Sequence, residues 1–189
     1  MSQKFRTDQS VEFSEIGNEI LSFKLFDKKV CGNLIKRAES LDKWEASKVV
    51  GVDSSINQGR NSEQIWLRDD ENLNKLYLTW VNMFLPPVIK EFWSYDMRGN
   101  TPSSIVRYKK GQFYNEHVDF GLGTDVRLVS LVCYLNDNFE GGETAFSRQG
   151  IKVKPETGKA ILFPSGLTHR HSACDIISGT KYALVGWFY

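Results

Sequence analysis

The spacing of apolar and polar positions divides the chain into two textures that meet near residue 100. In the first, residues 19–26 have strand character. Val30, Leu34, Ile35 and Ala38 then recur at helical spacing, which predicts a helix over residues 28–41 with Asp27 as its N-cap. Ile65-Trp66-Leu67 predicts a short strand. Leu73, Leu76, Tyr77, Trp80, Val81 and Phe84 form a second helical stripe, capped by Asp70 and expected to break or kink at Pro86-Pro87. Both stripes are read as core-facing. The first dozen residues are polar and expected to order only by docking, and residues 50–60 shift to Gly, Asp, Ser, Asn and Gln, which reads as a mobile loop.

After Thr101-Pro102, short β-rich pieces alternate with turns, at 105–108, 113–118, 126–135, 143–146, 151–153, 159–163, 170–174 and 181–188. Gly and Pro clusters punctuate them. About eight strands at this spacing predict a sandwich or jelly roll rather than a parallel βαβ sheet. The expected architecture is mainly β with flanking helices, a jelly-roll core supported by N-terminal α-helices. No repeat or linker marks a boundary, so residues 1–189 read as a single domain, with 1–100 packing on a core formed by 101–189.

Composition narrows the partners. The 24 basic and 23 acidic residues nearly cancel, which gives no general attraction to nucleic acid or an anionic membrane. Cys31, Cys133 and Cys174 are odd in number and widely spaced, so they read as reduced thiols. The N-terminus lacks an apolar signal-peptide core, and the apolar run 128–135, interrupted by Ser130, is too short to cross a bilayer. The expectation is a cytoplasmic protein, monomeric by default, with no nucleic-acid or membrane partner.

Candidate chemistry centres on residues 104–121. His117 and Asp119 lie two apart, and strand alternation would turn both to one face. An imidazole and a carboxylate there are two thirds of the 2-His-1-carboxylate set that holds non-haem Fe(II). The other histidines are His169 and His171, themselves two apart, so alternation does not choose between them.

The order of motifs from Arg107 to Tyr189 resembles the double-stranded β-helix core of the Fe(II)- and 2-oxoglutarate-dependent dioxygenases, and within them the prolyl 4-hydroxylases. The series is Arg107-Tyr108-x-x-Gly111-x-x-Tyr114-x-x-His117-x-Asp119, Arg127 ahead of Tyr134-Leu135, and Gly141-Gly142-Glu143-Thr144. Phe163-Pro164-Ser165, a His, Gly179-x-Lys181-Tyr182 and Trp187 follow. Upstream, Arg60-Asn61-Ser62 before Trp66-Leu67 is similar to an Arg-Thr-Ser segment preceding a substrate-covering loop.

That resemblance implies Fe(II) as metal, 2-oxoglutarate as co-substrate and ascorbate as reductant. It implies hydroxylation of peptidyl proline, with succinate and CO2 released, in the manner of a procollagen-proline 4-dioxygenase. The family's distal His lies ten residues before the basic residue that grips 2-oxoglutarate; counting from Lys181 gives His171. The implied metal ligands are therefore His117, Asp119 and His171, and His169 becomes a pocket-rim or hydrogen-bonding residue. Lys181 is implied to hold the far carboxylate of 2-oxoglutarate, with Tyr108 and Thr144 hydrogen-bonding it and Trp187 as a wall. Lysine rather than arginine there is similar to the collagen-type enzymes. Arg60, Tyr114 and Arg127 fall on positions implied to contact the peptide. Tyr189 departs from the pattern, since peptide-binding members can carry a His two residues after the tryptophan. A same-fold dioxygenase acting on a free amino acid or another side chain, and a non-catalytic jelly-roll binding module, are the alternatives.

Overall fold

The computed structural model describes residues 3–6, 12–48, 59–121, 123–124 and 126–189. Most of the loop expected at residues 50–60 lies outside them. Strands β1 (Gln3–Arg6), β2 (Glu12–Gly17) and β3 (Ile20–Lys24) form a meander, so the N-terminal stretch contributes strands beyond the one expected. Helix α1 (Lys28–Leu41) starts at Asp27, whose carboxylate accepts from the Val30 N–H at 2.7 Å. Strands β4 (Glu45–Ala46), β5 (Arg60–Asn61) and β6 (Glu63–Trp66) follow, then a 3₁₀ turn (Leu67–Asp69).

Helix α2 (Glu71–Trp93) runs through Pro86 and Pro87 without ending. The expected break does not occur because Leu85, Val88 and Ile89 are fully buried and hold the last turns in place. The carbonyls that lose their N–H partners belong to Asn82 and Met83, both exposed to water.

The remaining strands are β7 (Ser104–Lys109), β8 (Phe113–His117), β9 (Val129–Tyr134), β10 (Glu140–Gly141), β11 (Thr144–Phe146), β12 (Ile151–Val153), β13 (Lys159–Pro164), β14 (His171–Ala173), β15 (Ile176–Ser178) and β16 (Thr180–Phe188). A nine-stranded sheet, β1-β2-β3-β13-β9-β16-β7-β6-β4, and a five-stranded sheet, β12-β11-β14-β8-β5, make a jelly-roll sandwich. A small β10-β15 ribbon adjoins them. Among the described residues no helix is long and apolar enough to cross a membrane.

The central strands of the large sheet, β9, β13 and β16, are buried on both faces, which is why they read as near-continuous apolar runs. Alternation sorts their side chains. Leu131 and Cys133 of β9, Ala160 and Leu162 of β13, and Leu184 and Phe188 of β16 pack with Leu34, Ala38, Tyr77, Val81 and Leu85 of the two helices. Tyr134, Ile161 and Phe163 face the other way, onto Phe146 and Val153 of the small sheet. The same rule turns Lys181, Ala183, Val185 and Trp187 of β16 toward the space between the sheets. Gly186 lets β16 approach α2, since a side chain there would collide with the Tyr77 hydroxyl.

Asp70 joins these layers. Its carboxylate caps α2 at the Leu73 N–H, 2.9 Å away, and pairs with Arg37 of α1. Asp70→Ala is expected to cost about 1–2 kcal/mol through loss of the cap, and Asp70→Ser to regain part of it, as read by urea unfolding.

Candidate metal centre and co-substrate pocket

Antiparallel pairing of β8 with β14 sets His117 directly opposite His171. Their rings lie 4.3 Å apart, centroid to centroid. Asp119 reaches the same point by a different route from simple strand alternation. Strand β8 ends at His117 and the chain bends; the N–H groups of Asp119 and Phe120 then both donate to the Ser165 carbonyl, at 3.1 and 3.0 Å. That bend turns the carboxylate back. Asp119 Oδ1 lies 3.6 Å from His117 Nε2, and Oδ2 lies 3.6 Å from His171 Nε2.

Each imidazole has its orientation set from behind. His117 Nδ1 is 2.8 Å from the Asn115 carbonyl, and His171 Nδ1 is 3.0 Å from the His169 carbonyl. A carbonyl only accepts, so each Nδ1 donates, and each Nε2 is the ring atom turned toward Asp119. Burial pushes the His171 imidazole down to about 4, against the pull of Asp119, so it is neutral at ordinary pH. Burial alone would raise the Asp119 carboxyl. The neighbouring His171 and His117 and the Ser130 hydroxyl instead hold it well below the usual carboxylate range.

Sequence reasoning did not find Ser130. Its hydroxyl donates to Asp119 Oδ2 at 2.7 Å and receives, also at 2.7 Å, from the hydroxyl of fully buried Ser165. The available signal was a polar residue interrupting an apolar strand, on the face that alternation turns toward the site. The ligand atoms of His117, Asp119 and His171 all lie within 4.8 Å of one another. Two imidazole nitrogens and one carboxylate at this separation fit a divalent first-row ion, whose bonds to N and O run about 2.0–2.2 Å. Such a donor set occupies one side of the ion and leaves the other open.

His169 stands outside this cluster, in the turn before β14 rather than on a strand face. It is buried, with both ring nitrogens engaged by the protein, as described below.

The cavity next to the cluster is lined by Tyr108, Thr144, Lys181, Val185 and Trp187 together with His117, Asp119 and His171. Lys181 is 2% exposed. Among the described residues no carboxylate lies within 4.0 Å of its ammonium, which donates to the Gly142 carbonyl at 2.6 Å and faces the rings of Tyr108 and Tyr134. Burial lowers it from 10.5 to about 8. The Tyr134 hydroxyl donates to Thr144 Oγ1 at 2.8 Å and so orients it. An anion entering here would meet a buried cation whose remaining N–H groups are free of any carboxylate.

Arg60 and Tyr114 pair across β5 and β8, with the guanidinium 4.6 Å above the ring, and Tyr114 stacks on His117 at 3.6 Å. Arg127 lies in a turn before β9 rather than opening that strand, since β9 begins only at Val129. Its guanidinium stacks on Trp187 at 3.7 Å.

Residues 103–189 match the family model described as the 2OG-Fe(II) oxygenase superfamily. Prolyl 4-hydroxylase subunit alpha-1 of Gallus gallus is 29% identical over 134 residues, covering 58% of this chain and 26% of its own length. The chain thus spans about a quarter of that relative. Procollagen-lysine,2-oxoglutarate 5-dioxygenase 2 of Homo sapiens is 25% identical over 177 residues, covering 89% of this chain and 23% of its own length. The viral collagen prolyl hydroxylase of Paramecium Bursaria Chlorella virus-1, solved as its 2OG complex, superposes with a TM-score of 0.71 at 24% identity, covering 91% of this chain and 96% of that one. It shares the fold.

If the clustered donors act together, Asp119→Ala and His171→Ala are each expected to abolish binding of Mn(II), used as a stable stand-in, in calorimetric titration. The far-ultraviolet circular dichroism of both variants should match the parent.

Proposed function

We propose that this chain, whose residues 103–189 match the 2OG-Fe(II) oxygenase superfamily, hydroxylates prolyl residues of peptides at the expense of 2-oxoglutarate and O2. The observation that carries this reading is one cavity with a three-donor metal cluster at one end and a buried, carboxylate-free lysine in its wall. A dicarboxylate spanning the two would satisfy both.

On this reading His117, Asp119 and His171 hold Fe(II), each imidazole binding through Nε2. Asp119 keeps its charge because Ser130 donates to it and its histidine neighbours favour the ionised form. Lys181 grips the far carboxylate of 2-oxoglutarate, with Thr144 and Tyr108 as hydroxyl partners. Ala183, Val185 and Trp187 exclude water along the wall. The bound metal and co-substrate supply the oxidative chemistry, one oxygen atom of O2 going to the prolyl ring and the other to succinate as CO2 leaves, with ascorbate as the supporting reductant. Tyr114, stacked on a metal ligand, offers an apolar platform for the proline ring, and Arg60 and Arg127 present N–H groups to peptide carbonyls.

The relation to a lysine 5-dioxygenase favours a second reading, hydroxylation of a lysyl side chain. Charge weighs against it. Arg60 and Lys181 are the cations lining the described cavity, and its one carboxylate, Asp119, is committed to the metal cluster. A neutral prolyl ring enters without repulsion; an ammonium does not.

Mass spectrometry of proline-containing and lysine-containing collagen-like peptides, incubated with enzyme, Fe(II), ascorbate and 2-oxoglutarate, tests the proposal. A gain of one oxygen on proline is expected; a gain confined to lysine, or none, overturns it. The co-substrate site has its own signature. Lys181 carries its charge below about 8 and loses it above, so 2-oxoglutarate affinity is expected to fall as pH rises through that value. Lys181→Met is expected to bind 2-oxoglutarate about tenfold or more weakly and to lose that pH dependence, as measured by calorimetry.

A further inference from the structure

The matched family region begins at residue 103, yet a turn outside it contacts a residue that holds one of the proposed ligands. Register pairs run in a row across the small sheet, Ile151 opposite Phe146, Phe146 opposite His171, and His171 opposite His117. The turn between β2 and β3 closes the edge of that row. Gly17 lies so close to Ile151 that a side chain at 17 would collide with it. Gly17, Asn18 and Glu19 all have positive φ, at 152°, 39° and 65°, so this turn holds a conformation that most residues avoid.

His169 links this turn to the metal cluster. Its Nε2 lies 2.8 Å from the Asn18 carbonyl and must donate to it; its Nδ1 then accepts from the Thr168 hydroxyl at 2.9 Å. The ring is held between Phe146 and Phe163, at 6.4 and 6.5 Å, and both of those rings also pack against His171. Meanwhile the backbone carbonyl of the same residue accepts the Nδ1 proton of His171. One residue therefore fixes the 168–171 segment at both ends, gripping the hairpin with its side chain and the metal ligand with its backbone.

We propose that His169 is a positioning residue for the metal, and that the β2–β3 turn, through Asn18, is a remote part of the metal centre. The inference rests on the proposed assignment of His117, Asp119 and His171 as ligands. A ring locked to Asn18 keeps the residue-169 carbonyl where it holds His171 in the Nδ1–H tautomer, with Nε2 aimed at the ion. Without that lock the segment relaxes, and His171 binds with a poorly oriented lone pair. An ordinary buried histidine would affect stability; this one affects metal affinity.

The test titrates Mn(II) into the parent, His169→Ala, His169→Gln, Gly17→Ala and His171→Ala, with thermal melts in parallel. His169→Ala is expected to weaken Mn(II) about 10- to 100-fold, the usual cost of removing an outer partner of a ligand. The 2-oxoglutarate KM at saturating metal should stay near the parent's, because Lys181 lies on β16 in the other sheet. His169→Gln, whose amide N–H can still reach the Asn18 carbonyl, should recover most of the affinity. Gly17→Ala, which displaces the turn while leaving every ring intact, should weaken the metal in the same direction. Parent-like Mn(II) affinity in His169→Ala, or a Gln variant no better than Ala, overturns the clamp. Should His169→Ala fail to fold, the Gln and Gly17 variants decide, since parent-like affinity in Gly17→Ala overturns the coupling to the turn. Retention of Mn(II) by His171→Ala would instead overturn the ligand assignment itself.

Discussion

The antiparallel register of β8 against β14 is the constraint on which the rest depends. It brings together two histidines 54 positions apart in sequence, at a spacing that neither strand provides alone. A slip of one residue would send one imidazole to the opposite face of the small sheet. Several contacts hold the register from outside the pair. Phe146 continues the row on one side, Arg60 pairs with Tyr114 on the other, and the Ser165 carbonyl receives two N–H groups where the chain leaves β8. Each contact serves both folding and site geometry, so the site comes at little extra structural cost.

The two faces of the large sheet divide the work. Leu131, Cys133, Leu184 and Phe188 bury hydrocarbon against α1 and α2, which anchors β9 and β16. Once those strands are fixed, their alternate residues are fixed too, and these include Ser130, Lys181 and Trp187. A buried lysine has a desolvation cost that the pocket alone does not offset, which is why its proton is held less tightly than usual. The helix-side packing carries that cost. The site's electrostatic strain and the core's apolar burial lie on opposite faces of the same strands.

Much of this was legible in the sequence, for identifiable reasons. Asp27 and Asp70 cap their helices because a short acidic side chain ahead of an apolar stripe has few other uses. Lys181 was conspicuous as the one charge within an apolar strand, and its burial follows from alternation. Other features were hidden. Asp119 reaches the cluster through a bend anchored on Ser165, a contact that spacing along β8 does not encode. The two-residue strand carrying Arg60 exists only by pairing with β8, and Glu140–Gly141 only by pairing with β15. Strand β2 carries two apolar side chains, Phe13 and Ile16, among Glu12, Ser14 and Glu15, so composition masked it. Pro86 and Pro87 pointed to a break that tertiary packing overrides.

On the proposed reading, charge balance ties the Asp119 end and the Lys181 end of the cavity into one device. Without ligands, an ionised Asp119 and a protonated Lys181 line the same cavity, yet the Lys181 ammonium donates to the Gly142 carbonyl while Asp119 faces the two imidazoles. Neither offsets the other's desolvation directly. A divalent ion alone would leave the site with excess positive charge, and a dicarboxylate alone would bring two negative charges toward Asp119. With both bound, the ion, Asp119, the dicarboxylate and Lys181 sum to neutrality in a space largely closed to water. Each ligand therefore lowers the electrostatic cost of the other, and linkage requires that effect to be reciprocal. On the proposed reading His117 and His171 make this balance possible, because an imidazole ligand binds an ion without adding charge. A second protein carboxylate in place of either would leave the filled pocket with an uncompensated buried anion.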